Sequence, residues 1–196
     1  MQKNDFVVVQ SKKKSKEKFE SQTIIIVDEE KKEYPLLRKW DLGHICGKKM
    51  LKQNCPSNVF AKSLKIIGTF DDVLTMWSYF NHIDIKLLGL NSCLYVFEHN
   101  ILPMWEDKNN VGGNIYKSYI CEEYIDEIFL KILLSVIGEI LCDLYNDLKI
   151  NIINGIYVKK SYKTYEFQIW TKKNKINLMD ILFDITKTEW KCIDIH

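Results

Sequence analysis

Arginine is almost missing from this 196-residue chain: Arg38 stands alone, every other basic residue is a lysine, and Ala61 is likewise the only alanine. Bidentate guanidinium forks, the usual grip on phosphate, are therefore excluded outside Arg38, and lysine point charges must serve instead. The 28 basic residues nearly cancel the 26 acidic ones, which excludes a chain-wide field able to coat nucleic acid indiscriminately. The six cysteines (Cys46, Cys55, Cys93, Cys121, Cys142, Cys192) contain no CxxC pair, have no histidines at metal-ligand spacing, and follow no secretory leader pattern. The expectation is a reduced, cytoplasmic protein without structural metal or cofactor. No apolar run approaches the ~20 residues that a membrane span needs, because Lys131 and Glu139 interrupt the longest stretches. Glycine-rich phosphate loops, GxSxG and HExxH are all missing, and His44, His82, His99 and His196 lie far apart, so the chain offers no catalytic candidate. His82 reads as a residue closing a helix, where it compensates the dipole. With three prolines and eight glycines the connections are short, except near Asn91 and over Asp107–Gly113, where a ligand edge would form.

What is present suits one globular domain, with 46% apolar and 28% charged residues. Residues 1–33 hold the run Lys12-Lys13-Lys14-Ser15-Lys16-Glu17-Lys18 and little apolar periodicity, so they read as a flexible lysine-rich arm ahead of a domain over 34–196. That run fits an RNA-tethering or nuclear-targeting patch as well as a solvated tail. Thr69, with Asp72 three residues on, suggests a capping box, and Val73, Met76, Trp77 and Phe80 form an apolar stripe predicting a helix to about His82. A longer stripe, Ile125, Ile128, Phe129, Ile132, Leu133, Val136, Ile137 and Ile140, predicts one continuous helix from about Glu122 to Leu144. A third helix is expected over Asn177–Ile185. Strands are expected around Leu64–Ile67, Cys93–His99, Ile115–Ile120, Ile156–Ser161, Tyr165–Thr171 and Trp190–Ile195, the fourth and fifth joined as a hairpin. The order is α+β, not a repeating βαβ array.

Five tryptophans (Trp40, Trp77, Trp105, Trp170, Trp190) stand out, above all in Pro103-Met104-Trp105-Glu106-Asp107. A tryptophan followed by carboxylates in a loop presents a flat π-face beside hydrogen-bond acceptors, which suits a planar cationic ligand with two donors on one edge. The same string also fits a surface tryptophan packed on the core.

The run Ile101-Leu102-Pro103-Met104-Trp105-Glu106-Asp107 followed by Gly112-Gly113 resembles the signature loop of the eukaryotic translation initiation factor 4E family, the messenger-RNA cap-binding proteins. Thr69–Val73 through Trp77 to Asn81-His82-Ile83 resembles the first family helix. Leu133–Glu139 resembles its second, Phe167–Thr171 a late strand, and Tyr34-Pro35-Leu36 with Trp40 the opening strand. The resemblance covers roughly residues 34–196. It implies a strongly curved antiparallel sheet of about eight strands with about three helices on its convex face and a slot for the N7-methylguanosine cap on its concave face.

In that slot the resemblance implies Trp105 and Phe60 as the two stacking faces, Phe60 standing where the family usually has tryptophan. It implies Glu106 as acceptor for the guanine edge and Trp170 against the N7-methyl group. Ser161, Glu166 and Asn114 fall where basic phosphate-binding residues are expected, leaving Lys159 and Lys163 for the triphosphate. On the convex back, Pro35, Val73, Trp77, Leu130, Leu134 and Gly138 match the surface that receives a partner helix with a tyrosine–leucine motif. Lys131 stands there in place of an acid. The implied activity is recruitment of capped messenger RNA through a scaffold initiation factor by a monomer without catalysis. A regulatory relative that represses translation, or an interaction module with weakened cap binding, fits the departures at Phe60, Ser161 and Glu166.

Overall fold

The computed structural model describes residues 34–47, 57–143, 152–174 and 176–196. The lysine-rich arm expected over 1–33 lies outside them. Alternating side chains build seven strands: β1 (Pro35–Ile45), β2 (Lys65–Asp72), β3 (Cys93–Glu98), β4 (Asn114–Cys121), β5 (Ile153–Lys160), β6 (Thr164–Thr171) and β7 (Lys191–Asp194). They form one curved antiparallel sheet in the order β2-β1-β3-β5-β6-β4-β7. Seven strands are found among the described residues where about eight were expected, and β5 with β6 make the expected hairpin.

Strand periodicity assigns each residue to one of two faces. Trp40, Leu42, Leu94, Val96, Ile156, Val158, Phe167 and Ile169 join the larger core with Met76 of α2 (Val73–Phe80), Ile128, Ile132 and Val136 of α3 (Ile125–Ile137), and Leu182 of α5 (Met179–Thr186). Ile45, Cys93, Tyr95, Phe97, Ile115, Tyr157 and Trp170 form a second cluster on the other face, with Phe60 and Leu64 against it. Phe60 belongs to α1 (Ser57–Ser63), a seven-residue helix too short to leave a periodic signal in the sequence.

The helix ends correct three expectations. Thr69 is not part of a capping box: it is in β2 opposite Asp41, where its hydroxyl donates to that carboxylate at 2.7 Å. Asp72 is the cap of α2, accepting from the amide of Thr75 at 2.8 Å. That helix stops at Phe80, and His82, two residues beyond, bonds through Nδ1 to the Ser78 carbonyl. The long helix is also broken. Gly138 closes α3 as its C-cap instead of lying inside a helix, Glu139 takes a left-handed φ of 57°, and a short α4 (Ile140–Asp143) follows; Leu144 lies outside the described residues.

Arg38 explains the break. Its Nε reaches Glu139 at 2.8 Å, its Nη1 reaches Glu98 at 3.0 Å and the Ile153 carbonyl at 2.8 Å, and its guanidinium lies 4.3 Å from the centre of the Trp40 ring. The one arginine of the chain thus ties β1, β3 and β5 to the α3–α4 junction. A left-handed Glu139 supplies one of its anions, which apolar periodicity carries no trace of.

Asp41 joins three elements on the other face. Besides Thr69, it accepts from His99 Nδ1 at 2.9 Å and from the Asn100 amide at 3.2 Å. Burial by itself would raise its pKa, but hydrogen bonds from Thr69, His99 and the Asn100 amide outweigh that and hold the carboxyl below its ordinary value of 3.8. A lowered folded pKa contributes stability above the ordinary value, and that contribution is lost as pH falls through the folded one. Asp41→Asn should therefore be less stable than the parent chain by about 1–3 kcal/mol at neutral pH. In melts taken from pH 7 downwards, the gap should narrow below about pH 4.

Candidate functional site: an aromatic slot and a groove behind it

The slot is built on β6, where Glu166, Gln168 and Trp170 follow one another on the same face. Trp170 is 3% exposed and meets Phe97 edge to face at 5.8 Å, so it forms floor and not wall. Its indole N–H donates to Gln168 Oε1 at 2.8 Å, Gln168 Nε2 donates to Glu166 Oε1 at 2.6 Å, and Lys117 of β4 pairs with the same oxygen at 2.7 Å. Burial would depress the pKa of Lys117, but the hydrogen bond it donates to Glu166 prevails and holds it above normal. On the neighbouring strands, Cys93 Sγ and the Tyr157 hydroxyl lie 2.6 Å apart. Burial pushes the Cys93 thiol up to about 11 and the Tyr157 hydroxyl higher still. Neither ionises at neutral pH, so the pair is inert floor and not a nucleophile.

The wall comes from the loop after β3. Asp107 holds the ends of the loop's turn, accepting from the Leu102 amide through Oδ2 and from the Asn109 amide through Oδ1, both at 2.9 Å. Asn110, with no exposed surface, donates to the Leu102 and Met104 carbonyls at 2.8 and 2.7 Å. Its own carbonyl accepts from Asn154 of β5 at 2.8 Å, and Asn154 also donates to the Asn109 carbonyl at 2.7 Å. Two glycines close the loop. Gly112 has a φ of 73°, and a Cβ on Gly113 would collide with the Thr171 carbonyl of β6. So held, Trp105 stands 61% exposed beside Glu106.

Phe60, Pro103, Met104, Trp105, Glu106, Tyr157, Lys159, Glu166, Gln168 and Trp170 line a cavity of about 340 Å³. That size suits a single small ligand. Among the lining residues are four aromatic rings, two carboxylates (Glu106 on the loop, Glu166 on the floor) and Lys159, a set that suits a planar cation with hydrogen-bond donors on one edge.

Behind the sheet a second hollow of about 480 Å³ lies between α2, the turn Ile85–Leu87 and α3. It is lined by Trp77, Phe80, Ile83, Ile85, Phe129, Leu130 and Leu133, with Asp84, Lys86 and Asp126 at its polar side. Lys86 and Asp126 are ion-paired at 2.5 Å.

A family model described as eukaryotic initiation factor 4E matches residues 35–192. The chain belongs to this family. It is 29% identical to initiation factor 4E-3 of Caenorhabditis elegans over 74% of this chain and 57% of that protein. Against human initiation factor 4E it is 29% identical over 79% of this chain and 68% of that one. The match thus spans little more than half of the first relative and two thirds of the second. Among solved structures, C. elegans factor 4E-3 in complex with the 4E-binding protein Mextli and cap analog is 26% identical. It covers 81% of this chain and 91% of that one, with a TM-score of 0.66.

Of the residues singled out from the family pattern, Phe60, Trp105, Glu106, Trp170 and Lys159 meet in the slot although they come from four separate elements. Lys163 does not line it: it sits in the β5–β6 turn, exposed, with Nζ 5.9 Å from the Tyr162 ring. Trp77 and Leu130 meet in the rear groove. Pro35, Val73, Leu134 and Gly138 do not line it, and Lys131 beside Leu130 pairs with Glu127 at 2.6 Å. Sequence reading missed Tyr157, Gln168 and Lys117 in the slot region. Gln168 and Tyr157 were open to it, each two residues from a chosen neighbour on its strand. Lys117 was not, because only the β4–β6 register places it there. Asn110 and Asn154 were missed because a buried amide leaves no pattern.

Since Asn110 positions the loop without lining the cavity, Asn110→Leu should strip the Leu102 and Met104 carbonyls of their side-chain donor, leaving them only the Met104 and Asp107 amides, and take one acceptor from the buried Asn154 amide, costing about 1–3 kcal/mol. Amide hydrogen exchange over 101–113 should accelerate while exchange in β1 and β2 stays as in the parent chain.

Proposed function

We propose that this protein binds the N7-methylguanosine cap of messenger RNA in the slot and, through Trp77 and Leu130 on its back, a helix of a scaffold initiation factor or repressor. The observation that carries the reading is the convergence of Phe60, Trp105, Glu106 and Trp170, from α1, the loop and β6, on one cavity of ligand size. N7-methylation leaves guanine cationic, so stacking between Trp105 and Phe60 gains cation–π attraction as well as dispersion. Glu106 accepts from the two donors of the guanine edge, a pattern that adenine lacks. Lys159 meets the phosphates, and Lys163 in the outer turn reaches only their far end. The solved C. elegans relative, bound to cap analog and to a 4E-binding protein, supports both halves. The domain over 34–196 carries these functions, the arm over 1–33 precedes it, and the activity is binding without chemistry. Glu166 in the slot favours a second reading, a regulatory member with a looser hold on the triphosphate.

Trp105→Ala and Glu106→Ala should each weaken N7-methyl-GTP by about 1–3 kcal/mol, with melting unchanged, because both side chains face outward. Tryptophan fluorescence titration reads this, with unmethylated GTP as comparison. Parent-like affinity in both variants would remove the slot assignment.

Trp77→Ala should weaken a tyrosine–leucine motif peptide by about 2 kcal/mol or more while cap affinity stays constant. Since Trp77 also touches the core, Leu130→Asp on the exposed rim serves as the second variant. Calorimetry showing undiminished peptide binding by a folded Leu130→Asp would place the partner surface elsewhere.

A further inference from the structure

Strand register extends the slot floor sideways. Directly paired residues share a face, so Lys159, Glu166 and Tyr119 form one row across β5, β6 and β4. Tyr157, Gln168, Lys117 and Lys191 form the next across β5, β6, β4 and β7. Glu166 and Gln168 line the slot. Neighbouring strands are about 5 Å apart, so Tyr119 lies one strand spacing beyond the cavity and Lys191 about 10 Å beyond it.

This outer floor departs from what a stable sheet needs. Lys117 and Lys191 face each other directly, and like charges so placed repel. Glu166 answers Lys117 alone, leaving the row with more cation than anion. Tyr119 is 57% exposed beside them, its ring 5.3 Å from Lys117 Nζ, and Ile193 of β7 is exposed as well. An exposed aromatic ring flanked by lysines, continuous with a slot for a nucleotide base, is how single-stranded nucleic acid is held: rings take bases and lysines take the backbone.

Resting on the cap reading, we propose that Tyr119, Lys117 and Lys191 form a second subsite for the first nucleotide joined to the cap, its base stacked on Tyr119 and its phosphate between the two lysines. The slot then selects the cap, and the subsite selects caps that continue into an RNA chain.

The test compares N7-methyl-GTP with a capped trinucleotide, by fluorescence titration at several salt concentrations, for the parent chain, Tyr119→Ser, Tyr119→Phe and Lys191→Gln. Tyr119→Ser should weaken the trinucleotide about fivefold or more and leave N7-methyl-GTP unchanged, with Tyr119→Phe restoring affinity because it restores the ring. Lys191→Gln should lower the salt slope for the trinucleotide by about 0.7, one phosphate contact, and not for N7-methyl-GTP. Parent-like trinucleotide affinity in Tyr119→Ser overturns the subsite alone. Equal losses for both ligands overturn it too, by making Tyr119 a support of the slot. A parent chain that binds neither ligand overturns the slot reading and the subsite with it.

Discussion

Asn110 has no exposed surface, and both hydrogens of its side-chain amide go to carbonyls of the loop that carries Trp105 and Glu106. Its oxygen is taken by Asn154, so the fifteen-residue connection between β3 and β4 is tied to the middle of the sheet. The rest of the slot follows from that tie. Trp105 can stay 61% exposed only because the backbone beneath it is already fixed, and a fixed wall spares a ligand the entropy of ordering it. Gly112 and Gly113 serve the same end by letting the returning chain press against Thr171.

One sheet supplies both candidate surfaces, and their chemistry is kept apart by strand alternation alone. β6 sends Tyr165, Phe167 and Ile169 to the helices and Glu166, Gln168 and Trp170 to the slot. β3 is buried on both faces from Cys93 to Phe97, so it reads as an unbroken apolar run instead of an alternating one. The rear groove rests on the helices packed over that same sheet, which places the two proposed ligands on opposite sides of a shared core. Rigid packing between them lets each be probed by substitutions that leave the other in place.

Charge is distributed with similar economy. The single arginine, the best phosphate ligand the chain owns, is spent on Glu98, Glu139 and the Ile153 carbonyl, where its fork geometry joins three strands to a helix end. Lysines are left for the slot side, one of them, Lys117, also paired with Glu166. Electrostatic grip on a ligand there is therefore a matter of placement and not of total charge.

The sequence by itself determined the α+β class, the six strands it could recognise, the apolar faces of α2 and α3, the place of α5, and the Trp105-Glu106 pair, because periodicity and local composition are written in neighbouring residues. Tertiary structure decided what depended on partners distant in the chain. Asp72 and not Thr69 begins α2, since Thr69 is held in a strand by Asp41, 28 residues away. Gly138 ends a helix instead of lying within one, since Glu139 turns left-handed towards Arg38, 101 residues away. Lys159 joins the slot and Lys163 does not, since a strand residue is aimed by its register and a turn residue is not. Lys117 enters the picture only through β4 pairing with β6. Short-range energies are legible in order along the chain; hydrogen bonds and ion pairs closed over long loops are not, because the sequence names both groups without saying that they meet.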